Sequence, residues 1–332
     1  MTVVFLILAL LVILASAELF TNSVEWFGRR YNLGEGAVGS VLAAVGTALP
    51  ETLVPIMALA FLGGDAGHKI GTGAILGAPF MLSSLAMFVT GVAVVGFSLS
   101  GRRSIKVTVN EKVMRRDLSH FLRSYALVML ASLFHVRALH WALAAVLVAL
   151  YAWYVYKTLK DEGDLGGESK PLYFHRGHAP HLPHAWRIVL QMVVALAGII
   201  AGAEFFVEEM RSVADALGAS PLIVSLLIAP VATELPEKFN SVIWMRSCKD
   251  TLALGNITGA MVFQSTFPVS IGLLFTDWRL PFVAVFSGIL ALVSGVVFYV
   301  TLRVRHTLTW WSLAGAGSMY AVYLVYVLGF AH

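Results

Sequence analysis

Apolar stretches alternate with short polar or charged breaks along the whole chain of 332 residues. One transmembrane helix needs about 20 consecutive, mostly apolar residues. By that measure we predict ten spans, at residues 3–27, 36–62, 69–97, 119–135, 138–157, 186–210, 220–245, 251–275, 280–301 and 308–330. The fourth is the shortest of them. The pattern therefore predicts an all-α polytopic membrane protein with ten transmembrane helices.

Composition agrees with this fold class and narrows the classes of function. The chain is 58% hydrophobic and 13% charged, whereas soluble domains carry about 25% charged residues. Its net charge of +4 does not indicate nucleic-acid binding, because the basic residues lie mainly in the predicted loops. The single cysteine, Cys248, excludes a disulfide framework and argues against a cysteine metal site.

The basic residues are distributed unevenly between the two sides of the predicted membrane. With the N-terminus outside, seventeen Lys and Arg residues fall in inner loops and only four, Lys69, Arg137, Arg211 and Arg279, in outer ones. Cytoplasmic loops carry the excess of Lys and Arg in membrane proteins. We therefore expect a multi-pass protein of the cell membrane (inner or plasma membrane), with both termini extracytoplasmic. No basic residue precedes the first apolar run, so we expect it to stay as a span and not to be cleaved.

One motif occurs twice inside the apolar spans. V-G-T-A-L-P-E at 45–51 and V-A-T-E-L-P-E at 231–237 agree at five of seven positions, at an offset of 186. Each half of the chain then holds five spans, and an odd number of spans inserts the second half upside down relative to the first. Two inverted five-helix repeats, with proline-broken helices meeting at the midplane, are a transporter architecture.

This repeat predicts the domain organisation. The first five-span repeat covers residues 1–135 and 138–157 with its motif at 39–84, a cytoplasmic linker covers 158–185, and the second five-span repeat covers 186–332 with its motif at 225–266.

Each copy of the motif places a proline and a glutamate in the middle of a span. A proline frees a backbone carbonyl, and a carboxylate in hydrocarbon is costly enough to indicate a function. Carboxylate and carbonyl oxygens are the ligands that hard cations such as Ca²⁺ prefer. The motif therefore predicts a cation site around Glu51, Glu234 and Glu237. The alternative is a pair of kinked helices with neutralised glutamates: Lys238 could pair with Glu237, but Glu51 has no adjacent cation.

The spans that follow each motif carry small-xxx-small sequences. Gly73–Gly77 in span 3 and Gly255–Gly259 in span 8 are equivalent at an offset of 182. Such sequences allow close helix approach, so we expect span 3 to pack against span 2 and span 8 against span 7. Asn256 and Gln264 would then add side-chain oxygens from span 8.

Three segments together resemble a known family of membrane proteins. G-T-A-L-P-E at 46–51, A-T-E-L-P-E at 232–237 and A-L-G-N-I-T-G-A-M-V-F-Q at 253–264 are similar to motifs of the cation/Ca²⁺ exchanger superfamily, the sodium/calcium exchangers and their prokaryotic relatives. The resemblance extends over nearly the whole chain and includes the ten spans and the inverted repeats.

The resemblance implies both an activity and a ligand set. The glutamate of each motif, Glu51 and Glu237, would be a central cation ligand, and the threonines Thr47 and Thr233 would contribute oxygens. The implied function is a secondary active antiporter that exports Ca²⁺, or a similar divalent cation, in exchange for Na⁺ or H⁺ by alternating access. The implied partners are these ions and the lipid bilayer, with no cofactor and no nucleic acid; the sequence leaves a homo-oligomer open.

The chain departs from the family pattern at oxygen-bearing positions. The serine of the family's G-T-S-L-P-E is Ala48 in the first copy and Glu234 in the second. The family's Asn or Asp ligand is Leu82 in span 3 and Gln264 in span 8. The first half has therefore lost oxygens and the second has gained a carboxylate, so proton coupling or a changed stoichiometry is an alternative to the family's multi-sodium coordination. A cation/proton or Na⁺/H⁺ exchanger without Ca²⁺ as substrate is the alternative function.

Other polar residues lie outside the two motifs. Glu18 and Glu204 match at the offset of 186, and each is a candidate for an access route or for a side chain that snorkels to the interface. The linker histidines could bind a transition metal or sense pH, or belong to a solvated linker; they are His175, His178, His181 and His184. An intramembrane enzyme is the competing class, but the chain has no H-E-x-x-H and no G-x-S-x-G motif.

Overall fold

The computed structural model describes residues 2–31, 49–161, 171–174 and 183–330, and all regular structure in these ranges is helical. The α-helices described are α1 (Thr2–Arg30), α2 (Leu49–Met57), α3 (Gly64–Met81), α4 (Met87–Leu99), α5 (Glu111–Ala131), α6 (Arg137–Asp161), α7 (Ala185–Leu217), α8 (Pro221–Arg246), α9 (Asp250–Gln264), α10 (Phe267–Phe275), α11 (Phe282–Arg305) and α12 (Trp310–Phe330). A π-helical segment, Ala58–Leu62, extends α2, and a second, Leu82–Ala86, joins α3 to α4.

Seven helical segments in the described ranges are long and apolar enough to cross a membrane. They coincide with the predicted spans 1, 3, 5, 6, 8, 9 and 10, which confirms an all-helical membrane protein. Apolar segments at Pro50–Leu62 and Pro221–Glu234 lie within spans 2 and 7, and the helix that contains the second continues to Arg246. Span 4 corresponds to α5, whose charged residues Arg116, Asp117 and Arg123 lower its hydropathy.

Helix α8 continues without a break through Pro230 and Pro236, so the proline break expected in the seventh span is wrong. The reason is physical: ending a helix in hydrocarbon leaves several backbone groups without partners, whereas a proline removes a single hydrogen bond. The chain is irregular elsewhere, at the π-helical segment Leu82–Ala86 and between α9 and α10 at residues 265–266. These two places are equivalent at the offset of 182.

Hydroxyl groups make the same local hydrogen bonds at both irregular places. Ser83 Oγ lies 3.2 Å from the carbonyl oxygen of Phe80, and Ser84 donates to the same oxygen. The equivalent hydroxyls of residues 265 and 266 donate to the carbonyl oxygen of Val262 over 3.0 and 2.7 Å. Serine and threonine that bond back to the preceding turn often bend helices, so the same sequence feature accompanies both distortions.

Helices α3 and α8, which belong to different predicted repeats, approach each other closely. A Cβ atom added to Gly73 would lie 2.5 Å from the carbonyl oxygen of Leu222, and one added to Gly77 would overlap the carbonyl oxygen of Leu226. The contacts advance in the same direction along both helices, so α3 and α8 are parallel. The expectation that this glycine pair faces span 2 is therefore wrong.

The other glycines of these motifs face different helices. Span 3 does contact span 2, but through Gly67 and Gly71, which lie against α2 and its π-helical extension. The nearest neighbours of a Cβ added to Gly255 or Gly259 belong to α5 and α6, both at 3.6 Å, an ordinary van der Waals distance. Span 8 does lie beside span 7, as predicted, although its glycines do not form that contact.

Helices α1 and α7 form a long antiparallel pair. Gly198 of α7 faces Ser16 of α1, and one turn later Gly202 faces Ile13, so the contacts run in opposite directions along the two chains. Helix α1 packs mainly on α7 and has smaller contacts with α2 and α8. This pair is therefore attached to the rest of the molecule largely through α7.

A short piece of the predicted linker, residues 171–174, lies against this pair. The amide of Phe174 donates to Gln191 Oε1 over 2.9 Å, and Gln191 Nε2 donates to the carbonyl oxygen of Leu19 over 2.8 Å and to Asn22 Oδ1 over 3.0 Å. Gln191 is fully buried. Asn22 Nδ2 of α1 also donates to the carbonyl oxygen of Pro171 over 3.3 Å, so the segment is hydrogen-bonded to both α1 and α7.

Candidate ion-binding site

The first copy of the motif is described from Leu49, where α2 begins in the structure. Glu51 lies in the first turn of α2 and is 7% exposed. Thr47, predicted as a ligand, lies outside the described residues. Burial of a carboxylate in an apolar surrounding is unfavourable unless a partner compensates its charge, and a bound cation is one kind of partner that can do so.

The second copy lies within α8, where the backbone is helical throughout. Thr233 and Glu234 are each 2% exposed, and Thr233 Oγ1 donates to the carbonyl oxygen of Ala229 over 3.0 Å. That bond uses the hydroxyl hydrogen and leaves the oxygen free to accept or to ligate. Glu237 lies one turn beyond Glu234 on the same face; its side chain lies outside the described ones.

Span 8 supplies the two remaining predicted ligands. Gln264 is the last residue of α9, is 2% exposed, and its Oε1 has no hydrogen-bond partner in the described part of the chain. Asn256 is half-buried, and its Nδ2 donates to Ser241 Oγ over 3.3 Å. Ser241 in turn donates to the carbonyl oxygen of Ala253 over 3.0 Å. Asn256 therefore connects α9 to α8, while the Gln264 oxygen remains available for a ligand.

The helices that carry these residues are in contact with one another. Helix α8 packs against both α2 and α9, and α10, which follows Gln264, packs against α2. Within the described ranges no three His, Cys, Asp or Glu side chains are grouped closely enough to hold a metal ion. The buried oxygens described are two carboxylates, one hydroxyl and one amide, a donor set that suits a hard cation.

The two access-route candidates lie away from these oxygens. Glu204 is exposed on α7, whereas Phe206 and Val207 of the same turn are buried. Glu18 is also exposed, and its Oε1 accepts from Tyr173 OH over 3.0 Å. Both carboxylates thus lie on the surface of the α1–α7 pair. His175, His178 and His181 lie outside the described residues; His184 is exposed at the start of α7.

The structure contains polar contacts that the sequence interpretation missed. Asp117 is buried where α5, α6 and α9 meet, and Arg103 forms a buried ion pair with Asp250. Asp117 lies two residues before the predicted fourth span, and the charge of that region was the only local signal for the first contact. The second had no local signal, because its partners come from distant parts of the chain.

Comparison with known proteins finds sequence similarity along nearly the whole chain. Residues 1–160 and 187–329 match the sequence model of the family described as sodium/calcium exchanger protein. An uncharacterized membrane protein of Methanocaldococcus jannaschii is 22% identical over 296 residues, which cover 89% of this chain and 88% of that protein.

Two solved exchanger structures are similar in fold. The H⁺/Ca²⁺ exchanger CAX aligns with a TM-score of 0.75 at 18% identity, covering 98% of this chain and 82% of that one. The sodium-calcium exchanger NCX_Mj aligns with a TM-score of 0.60 at 19% identity, covering 99% and 98% of the two chains. At such identities the similarity concerns the arrangement of helices.

Proposed function

Because the chain belongs to the sodium/calcium exchanger family, we propose that it is a secondary active antiporter that exports Ca²⁺, or a similar divalent cation, in exchange for Na⁺ or H⁺. Members of this family are transporters, so the protein is not an enzyme and the ions are its cargo. The observation that carries the proposal is the burial of Glu51 and Glu234, one from each copy of the motif, on two helices in contact.

The proposed ligand set combines both halves of the chain. Glu51 and Glu237 are the central carboxylates, and Glu234 is a third, at the position where the family pattern has a serine. Thr47, Thr233, Gln264 and Asn256 supply neutral oxygens. The burial of Glu234, Thr233 and Gln264 supports this assignment, as does the free Oε1 of Gln264.

The proposed topology is ten spans in two inverted five-helix repeats. In such a topology spans 3 and 7 run in the same direction and spans 1 and 6 in opposite directions. The helices of spans 3 and 7, α3 and α8, are in parallel contact, and those of spans 1 and 6, α1 and α7, are in antiparallel contact; both observations support this arrangement. The equivalent distortions in spans 3 and 8 support the internal repeat. We assign the linker to the cytoplasm and both termini to the outside, in the cell membrane.

Alternating access follows from how the helices are attached. The α1–α7 pair packs mainly on itself, while α3 and α8 are interlocked across the two halves. We therefore assign movement to the pair and a fixed position to the ion-binding helices. Glu18 and Glu204, on the surface of the moving pair, would act on the rate of ion access and not on equilibrium binding.

Proton coupling is the favoured exchange mode. Leu82 and Ala48 cannot supply the side-chain oxygens of the family pattern, whereas Glu234 adds a carboxylate one turn from Glu237. Two carboxylates so close in a medium of low dielectric cannot both be charged at low cost, so one proton and one cation would compete for the site. A Na⁺/H⁺ exchanger without Ca²⁺ is the second candidate.

The deciding experiment uses purified protein in sealed proteoliposomes. We expect ⁴⁵Ca²⁺ uptake when a pH gradient is imposed, and uptake driven by a Na⁺ gradient would instead identify Na⁺ as the coupled ion. Protein-free liposomes under the same gradients are the control. Gradient-driven Na⁺ or H⁺ movement without any ⁴⁵Ca²⁺ movement would favour the second candidate, and no ion movement would contradict both.

A further inference from the structure

A buried carboxylate outside the proposed ion site joins three helices. Asp117 of α5 is 1% exposed. Its Oδ2 accepts from Thr258 Oγ1 of α9 over 2.8 Å, and its Oδ1 accepts from Tyr154 OH of α6 over 3.0 Å and from Arg116 Nε over 3.2 Å. The Arg116 guanidinium also lies 5.4 Å from the centre of the Tyr154 ring. Each carboxylate oxygen is thus hydrogen-bonded, which is the condition for keeping such a group buried.

The same helix also reaches the first half of the molecule. Tyr125 OH, two turns beyond Asp117 on α5, donates to the carbonyl oxygen of Leu76 in α3 over 3.3 Å. Leu76 and Thr258 are equivalent positions at the offset of 182. Helix α5 is therefore hydrogen-bonded to the span that follows each motif, at the same point of each repeat.

Helices α3 and α9, which α5 contacts through Tyr125 and Asp117, differ in how closely they pack against other helices. Helix α3 is fixed by the close approach of Gly73 and Gly77 to the backbone of α8. The glycines that flank Thr258 in α9, Gly255 and Gly259, make only ordinary contacts with α5 and α6. Close backbone packing therefore does not define the rotation of α9 here, whereas a hydrogen bond to a charged group is directional and strong.

Helix α9 carries the proposed ligands of span 8. Thr258 lies two residues after Asn256 and six before Gln264, and each residue of an α-helix advances by 1.5 Å and about 100°. A change in the rotation or depth of α9 at Thr258 would therefore move the Gln264 oxygen relative to Glu234 of α8. Nothing in this geometry requires Asp117 to touch the ion.

We propose that Asp117 and Thr258 form a positioning pair, which sets the rotation and depth of α9 and thereby places the Gln264 oxygen in the cation site. This inference rests on the proposed function, because it takes Gln264 to be a ligand of the transported cation. Tyr154 and Arg116 hold the Asp117 carboxylate in the orientation that Thr258 requires.

The test is to remove the hydroxyl of Thr258 without changing its shape. In Thr258→Val the bond to Asp117 is lost, and in Thr258→Ser it is retained. We expect Thr258→Val to raise the half-saturating Ca²⁺ concentration for ⁴⁵Ca²⁺ uptake by up to about tenfold, the change reached when the loss of one hydrogen bond to a charged group falls on the ion-bound state. Thr258→Ser should lie close to the wild type, and the maximal rate should change less than the affinity.

Ser270→Ala is the matched control. Ser270 Oγ lies 2.8 Å from the Thr266 carbonyl oxygen and 3.3 Å from the Ala144 carbonyl oxygen of α6; it is also buried, but its contacts involve neither α5 nor α9. The Ca²⁺ affinity of the Ser270→Ala protein should equal that of the wild type. Equal affinities in Thr258→Val and Ser270→Ala would overturn the positioning role while leaving the proposed function intact. A wild-type protein that neither binds nor moves Ca²⁺ would contradict the proposed function itself, and this inference with it.

Discussion

Arg103 and Asp250 form a bidentate ion pair, buried at the junction of α8 and α9 although the two residues are 147 positions apart in the chain. The guanidinium nitrogens lie 2.8 and 3.0 Å from the two carboxylate oxygens. Arg103 also donates to the carbonyl oxygen of Met245, near the end of α8, over 2.6 Å. The loop after α4 is thus attached to the turn between the two helices that carry the second half of the proposed ion site.

Removal of the Arg103 side chain should destabilise this junction. Arg103→Ala leaves the Asp250 carboxylate buried without its cation, and breaking a buried pair in this way costs about 3–5 kcal/mol. We expect a clear fall in the melting temperature of the detergent-solubilised protein. Arg102→Ala, at the exposed neighbouring position, is the control and should change stability by about 0.5 kcal/mol or less. Equal melting temperatures for the two variants would show that the ion pair contributes nothing to stability.

Neutralising Glu51 should abolish divalent cation transport. Glu51→Gln preserves the size of the side chain but removes the charge that would balance a cation in a buried site. We expect no ⁴⁵Ca²⁺ uptake above protein-free liposomes, with normal membrane insertion and an unchanged gel-filtration profile. Glu208→Gln, an exposed carboxylate on α7, should transport like the wild type. Wild-type uptake by Glu51→Gln would remove Glu51 from the ligand set.

The pH dependence of Ca²⁺ affinity should depend on Glu234. A cation and a proton cannot both occupy the same carboxylate, so lowering the pH must weaken Ca²⁺ binding. The weakening approaches about tenfold per pH unit where one proton is displaced per cation. We expect the apparent affinity to fall from about pH 8 to 6 in the wild type, and the curve to flatten in Glu234→Ser. Parallel curves for the two proteins would show that another group exchanges the proton.

Matched glycines in the two repeats should respond differently to an added methyl group. In Gly77→Ala the new Cβ would overlap the backbone carbonyl of Leu226, so either α3 or α8 must shift. Overpacking of this kind costs about 1–3 kcal/mol. Gly259→Ala, at the equivalent position, places its Cβ 3.6 Å from Tyr154 OH and should be tolerated. Melting temperatures of both variants provide the test, and a Gly77→Ala protein as stable as Gly259→Ala would contradict the close packing of α3 on α8.

The sequence predicted the class of protein from local signals, and the same signals are the basis of the proposed ion site. Hydropathy located the apolar helices because a helix in a bilayer must satisfy its own backbone, so span length and composition are enough to identify it. The duplicated motif drew attention to Glu51 and Glu234, and both are buried in the structure. A carboxylate inside an apolar run is costly to bury, so its presence in the sequence indicates a functional role. Family membership follows from the same motifs.

Contacts between helices were decided only by the tertiary structure. The sequence could not show that Gly77 faces α8 and not α2, because every face of a buried apolar helix is a candidate interface. It predicted a break at Pro236, yet α8 continues, since neighbouring helices support a helix that has lost one hydrogen bond. The Asp117–Thr258 and Arg103–Asp250 bonds join residues more than 140 positions apart. Such pairs leave no local pattern, because their energy depends on burial and geometry that exist only after the helices have packed.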